Sequence, residues 1–199
     1  VISGYLISGS LFSELADHGR IRLASFWARR IRRLLPAALF VIAVTAITAL
    51  FVVPAFTRQG FFAEAIASTF YFENWQLAAS ATNYFGGEPS PFQHYWSLAV
   101  EEQFYVVWPV LLTLIAVAFR KRRSGAIRVF LVLATTTSFI YSLYLSYALP
   151  SLAYFNTLGR VWEFGLGAAV ALLGHRVRLS KLGQTLASLA AFAAILASA

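Results

Sequence analysis

The sequence contains no cysteine and no methionine, and only eight acidic residues among 199. Without cysteine, disulfides and thiolate metal sites are excluded, and the redox compartment cannot be read. The three histidines, His18, His94 and His175, lie too far apart for a ligand spacing, so no metal site is expected. Charge is scarce too. With 12% charged against 59% hydrophobic residues and a mean hydropathy of +0.70, there is too little polar material to coat a water-soluble domain. The net charge of +8 comes from Lys and Arg in short clumps between apolar runs rather than along one polar face. That pattern argues against a nucleic-acid partner and for a lipid bilayer.

What is present is a series of apolar segments of membrane-crossing length. Residues 34–53 carry no charge, and about 20 such residues cross roughly 30 Å of hydrocarbon. Further spans are expected at 98–119, at 127–149, where Pro150 ends the helix, and at 159–174, with partial spans at 1–13 and 182–199. Ser90, Pro91 and Gln93 fit an N-cap, N1 and N3 pattern, so the helix through Phe119 is expected to begin at Pro91, outside the membrane core. Gly165, Gly167, Ala168 and Ala169 offer small residues for close helix contact. The expected fold is all-α, a polytopic transmembrane helical bundle. It reads as a fragment of a larger bundle, because Val1 to Leu11 resembles the second half of an apolar helix and 182–199 stops without a cap.

The basic clusters orient it. Six Lys and Arg lie between Glu14 and Arg33, five between Arg120 and Arg128, and three between Arg176 and Lys181. With those loops cytoplasmic, fourteen of sixteen obey the positive-inside rule, leaving Arg58 and Arg160 outside. Counting 61–80 as a full crossing would move the Arg120 cluster to the wrong side. Since that segment also carries Glu64, Glu73 and Asn74, it is expected to be interfacial or re-entrant, followed by a turn at Gly86, Gly87, Glu88 and Pro89.

Three constellations could carry chemistry. Arg29, Arg30, Arg32 and Arg33 precede Leu34 and Pro36; they serve as a plain topology anchor, or, with Arg30 and Arg33 at i and i+3 on one helical face, as paired guanidinium forks for a phosphorylated ligand. In HYWSLAVEEQFYVVW (His94 to Trp108), His94, Ser97 and Glu101 share one helical stripe, while Glu102 follows Tyr95 and Leu98. Trp96, Tyr105 and Trp108 suit an aromatic belt, but ionisable groups at the edge of a span are costly and are functional candidates. Arg160 and Glu163, at i and i+3, read first as a structural ion pair. His18 and His175 sit beside arginines in the cytoplasmic loops and carry no such signal.

The words SGYLIS (Ser3 to Ser8), RRIRRLLPA (Arg29 to Ala37), ENW (Glu73 to Trp75), NYF (Asn83 to Phe85) and HYWSLAVEEQFYVVWP (His94 to Pro109), followed by GRVWEFGLGA (Gly159 to Ala168), resemble in order and spacing the acyltransferase-3 family of bacterial membrane O-acyltransferases. The resemblance implies an enzyme of the bacterial cytoplasmic (inner) membrane. It would move an acyl group, commonly acetyl, from cytoplasmic acyl-CoA to a hydroxyl of an extracytoplasmic glycan such as lipopolysaccharide O-antigen, peptidoglycan or exopolysaccharide. Acyl-CoA is then a donor substrate and no cofactor is held permanently; the stretch from Arg160 to Phe164 looks most like members with a downstream SGNH-type domain. Arg30 and Arg33, flanked by Arg29 and Arg32, match the donor-binding arginines. Glu101 and Glu102, with His94, are the catalytic candidates, and Ser3, Gly4, Asn74, Trp96, Ser97, Gln103, Tyr105, Arg160 and Glu163 complete the candidate site. The family's own histidine is expected upstream of Val1, and His94 is not its equivalent. On this reading the donor-side arginines lie inside and the histidine–glutamate stripe outside. The competing class is a transporter or flippase whose intramembrane charges line a substrate path, although no inverted repeat is evident.

Overall fold

The computed structural model describes residues 1–54, 57–79 and 91–174, together with Gly183, Thr185, Ser188 and Leu189. Among the described residues the chain is helical, without strands: α1 (Ile2–His18), α2 (Leu23–Val52), α3 (Arg58–Thr69), α4 (Glu73–Ala79), α5 (Tyr95–Ala118), α6 (Arg123–Ala148), α7 (Pro150–Phe155), a 3-10 turn (Leu158–Arg160) and α8 (Val161–Gly174). Three helices are long and apolar enough to cross a membrane, namely α2, α5 and α6. Their outer faces expose Phe40, Phe51, Leu114, Leu133 and Ile140, which is stable against lipid and not against water. At 17 and 14 residues, α1 and α8 are shorter. The stretch 61–80, expected to be interfacial or re-entrant and not a full crossing, carries two short helices, α3 and α4, joined at Phe70–Phe72. The turn at Gly86 to Pro89 and the segment 182–199, apart from the four residues above, lie outside the described residues.

Two helix starts differ from the sequence expectation. α2 begins at Leu23, well before the apolar run at 34–53, so the arginine cluster lies on the helix itself. α5 begins at Tyr95 and not at Pro91. The reason is Phe92, 1% exposed, whose ring packs 5.0 Å from Phe61 and 6.1 Å from Tyr95. Burying that ring against α3 pulls Pro91 to His94 into hydrogen-bonded turns, with the Tyr95 N–H donating to the Phe92 carbonyl at 2.8 Å. The proposed cap, Ser90, lies outside the described residues.

Close packing of small residues joins α1 to α8. The backbones approach so tightly that a methyl group on Gly4 would collide with the Phe164 carbonyl, and one on Gly167 with the Val1 carbonyl and Tyr5 amide; Gly165 lies equally close against Thr135 of α6. This is the small-residue contact that membrane helices use in place of a hydrophobic drive. Beside it, Phe104 of α5 stacks on Phe164 at 4.2 Å and on Trp108 at 4.8 Å, and the Trp108 indole donates to Ser8 Oγ at 2.9 Å. At the far end of α1, Glu14 accepts both the backbone N–H and the Nε–H of Arg22 at 3.0 Å, holding the α1–α2 connection.

The glycine contacts are testable by melting full-length protein in detergent. Gly4→Val and Gly167→Val should each cost about 1–3 kcal/mol or more, because the obstacle is backbone and cannot rotate away. Gly125→Ala, facing open space, should be neutral or slightly stabilising. Equal melting of all three variants would contradict the packing.

Candidate functional site

The polar residues gather on one side of α5, and a proline explains how α2 meets it. Pro109 lies inside α5 and has no N–H, so it leaves the carbonyl of Tyr105, four residues earlier, without its helical partner. The Trp27 indole of α2 donates to that carbonyl at 3.1 Å. Higher up, the Tyr95 hydroxyl donates to the Ala38 carbonyl at 3.4 Å. These two contacts fix α2 and α5 as antiparallel neighbours and bring Arg30 level with Tyr105.

There the Arg30 guanidinium lies over the Tyr105 ring, 4.1 Å from its centre, with Phe26 at 5.9 Å. The Tyr105 hydroxyl donates to Glu101 Oε2 at 3.0 Å and shares a hydrogen bond with Ser3 of α1. Glu102 is within electrostatic reach of Arg30, and its buried Oε1 has no hydrogen bond. One cation from α2, one phenol and two carboxylates from α5 and one hydroxyl from α1 are thus assembled by three helices. The expectation that arginines and glutamates stand on opposite sides is corrected: antiparallel packing sets Arg30 and the acidic pair at the same level.

The other candidates separate into those brought together and those left apart. Arg29, Arg32 and Arg33 are exposed, so Arg30 alone of the four joins the cluster. His94 and Ser97 are also exposed; Ser97 donates only to the His94 carbonyl at 3.2 Å, and His94 lies seven residues from Glu101, about 10 Å of helix. Gly4 serves packing.

Gln103 is the hub of a second network. Its amide donates to the Tyr71 carbonyl at 2.7 Å and to Asn74 Oδ1 at 2.8 Å, while its Oε1 accepts from Thr157 at 2.6 Å and from the Trp75 indole at 3.2 Å. Asn74, fully buried, also donates to the Phe155 carbonyl at 3.0 Å and to Thr157 at 2.9 Å. With both its donors and both its acceptor sites used, Gln103 ties α4, α5 and the α7–α8 connection together.

A third group surrounds Arg160. It pairs with Glu163 at 3.1 Å, donates to the Tyr154 carbonyl at 3.1 Å and lies over the rings of Trp96 (4.7 Å) and Tyr154 (5.3 Å). The ion pair expected from spacing is present, and two aromatic faces hold it in place.

Sequence reasoning did not include Tyr71 or Glu73 among the candidate site residues, although the structure makes both unusual. Tyr71 adopts φ +58°, the left-handed region that a bulky side chain seldom visits. It closes the α3 C-terminus where glycine is usual, with the Phe72 N–H reaching back to the Ala67 carbonyl at 2.7 Å. Burial, then the neighbouring Glu102, pushes its phenol pKa up. No residue type in the sequence announces that turn. Glu73 is fully buried; Ser68 donates to its Oε2 at 3.3 Å, and Oε1 has no partner. Burial, then the nearby Glu64 charge, raises its pKa to about 7.

Since the folded pKa of Glu73 exceeds the unfolded one, the folded protein holds a proton that the unfolded chain releases between about pH 4.5 and 7. Stability from this group is therefore full at the acid end of the window, falls as pH rises and levels off above 7. Melting of full-length protein across pH 5 to 8 should show a shallower decline in Glu73→Gln than in wild type. Parallel curves would contradict the assignment.

The acyltransferase-3 family profile, described as an acyltransferase domain, matches residues 1–199. Among curated proteins, the chain is 36% identical over 185 residues to YrhL of Bacillus subtilis, provisionally named a peptidoglycan O-acetyltransferase, covering 90% of this chain and 28% of that protein. It is 35% identical over 183 residues to the peptidoglycan O-acetyltransferase OatA of Listeria monocytogenes, covering 90% and 29%. A Staphylococcus aureus (strain COL) protein, provisionally named an O-acetyltransferase, is 38% identical over 177 residues, covering 87% and 29%. The chain thus spans less than a third of the length of these relatives. No solved structure matches it significantly. On the match along its whole length, the chain belongs to the acyltransferase-3 family.

Proposed function

We propose that this chain is part of the membrane core of a bacterial O-acetyltransferase that takes an acetyl group from cytoplasmic acyl-CoA and passes it to a glycan hydroxyl, as in peptidoglycan, on the other side of the inner membrane. The observation that carries this reading is Arg30 held over Tyr105 beside Glu101 and Glu102. Arg30 lies about 10 Å along α2 from its start and Tyr105 about 15 Å along α5 from its own, so the cluster sits between the two ends of the bundle. A centre at that depth suits a group handed from one face to the other. The names of the relatives support a glycan as acceptor. An SGNH-type domain downstream would take part in delivery.

In chemical terms the thioester C–S bond breaks and a C–O ester bond forms. Glu102, with one oxygen free of hydrogen bonds, takes the proton of the attacking hydroxyl and returns it to the departing thiolate. Arg30 faces the negative charge that develops on the acyl oxygen, and a cation fixed in a low-dielectric site is effective there. Ser3 and Glu101 hold the Tyr105 ring in the orientation that seats Arg30. Exposed Arg29, Arg32 and Arg33 add positive charge along the donor's approach.

Acetyl transfer by full-length protein in membranes tests these roles. Arg30→Gln and Glu102→Gln should each lower the rate by about 100-fold or more while insertion is unchanged. Glu101→Gln should have a smaller effect. Full activity in the first two variants would overturn the reading.

A further inference from the structure

The bundle has a second concentration of positive charge. A cavity of about 550 Å³ opens where the α1–α2 connection meets the end of α5 and the start of α6, and it is lined by His18, Arg20, Arg120 and Arg123 over a floor that includes Leu15 and Thr113. Among the described residues, no carboxylate lines it. Of the two acids of α1, Glu14 is paired with Arg22, and Asp17, which accepts a hydrogen bond from Ser13 Oγ at 3.3 Å, is not among the lining residues. Gly19, at φ +68°, turns the chain out of α1, and its carbonyl receives Arg123 Nη1 at 3.5 Å, which draws Arg123 towards Arg20. Three guanidiniums that line one cavity with no carboxylate among its described lining residues repel one another, and their forks match phosphate oxygens.

The position of the cavity is as informative as its charge. Ala116, which lines it, lies eleven residues beyond Tyr105 on α5. Eleven residues is three turns, so Ala116 and Tyr105 share one face and are separated by about 16 Å along the helix. Thr113, on the same stripe, forms part of the floor. The basin and the Arg30 cluster therefore stand one below the other along a single face of α5.

We propose that this basin is an anion subsite for the phosphate-bearing nucleotide end of the acyl donor, with the donor's extended arm running along α5 to place its acyl end at Arg30 and Glu102. This rests on the acyl-CoA reading above. The exposed arginines of α2 then guide the donor in, whereas the basin holds it. An anionic phospholipid headgroup carries the same phosphate chemistry, and the experiment separates the two sources.

The probe is adenosine 3′,5′-diphosphate, which has the phosphates and no acyl arm, titrated into full-length protein in phosphatidylcholine nanodiscs. Wild type should bind it. Arg20→Ala, Arg120→Ala and Arg123→Ala should each weaken binding by about 10-fold with unchanged melting temperature. Arg30→Gln, which slows transfer, should leave probe binding intact. No probe binding by a protein that still acetylates glycan would overturn the subsite and leave the transfer reading standing; probe binding without any acetylation would do the reverse. In the second arm, phosphatidylglycerol is added to the nanodiscs. Nucleotide binding that persists supports the subsite. Lipid retained by wild type, lost from the arginine variants and excluding the nucleotide would overturn the nucleotide assignment.

Discussion

A proline in the middle of α5 leaves a carbonyl that the bilayer cannot solvate. Within hydrocarbon there is no water to take up a freed C=O, and leaving it unpaired costs several kcal/mol. The Trp27 indole meets that demand at Tyr105, and with the Tyr95 hydroxyl on the Ala38 carbonyl it fixes the register between α2 and α5. Arg30, one turn beyond Trp27, then falls over the Tyr105 ring. A different register would leave Tyr105 without its donor and a guanidinium facing lipid, so the backbone defect and the charged side chain require the same neighbour.

Around this contact the remaining polar groups are held by supports of unequal kind. Tyr105 is gripped from both sides, by Ser3 and Glu101. Gln103, pointing the other way, spends its whole hydrogen-bonding capacity on α4, the strained Tyr71 turn and Thr157. A left-handed tyrosine costs of order 1–3 kcal/mol and persists only where its surroundings over-determine it. Its carbonyl is pinned by Gln103 and its phenol feels Glu102. Glu101, Glu102 and Gln103 thus divide the work: the acids face the cation, and the amide anchors the platform beneath. The Gly4 and Gly167 contacts bring α1 close enough to α8 to set Ser3 in place.

Much of this was legible in the sequence, for definable reasons. Hydrocarbon thickness dictates helix length, so the apolar runs in α2, α5 and α6 announced themselves, and the i, i+3 spacing of Arg160 and Glu163 foretold their ion pair. The small residues of α8 announced a close helix contact. What could not be read was which helix faces which. Arg30 meets Glu102 across 72 positions of chain through a register set by Pro109, and a count of charges per loop carries no register; hence the mistaken separation of the two into opposite sides. His94 shares a helical stripe with Glu101, but a stripe gives direction and not distance, and the two stay apart. Phe92 displaced the α5 start because burial against α3 outweighs a local capping pattern. The left-handed Tyr71 has no compositional signature at all.

The central claim is that Arg30 and Glu102 act as one unit across the α2–α5 interface. A double-mutant cycle on acetyl transfer measures this directly, using Arg30→Gln, Glu102→Gln and the pair in full-length protein. Residues that act together are strongly non-additive. The account predicts that the double variant is no slower than the slower single variant. Rate losses that multiply, as for independent sites, would contradict it.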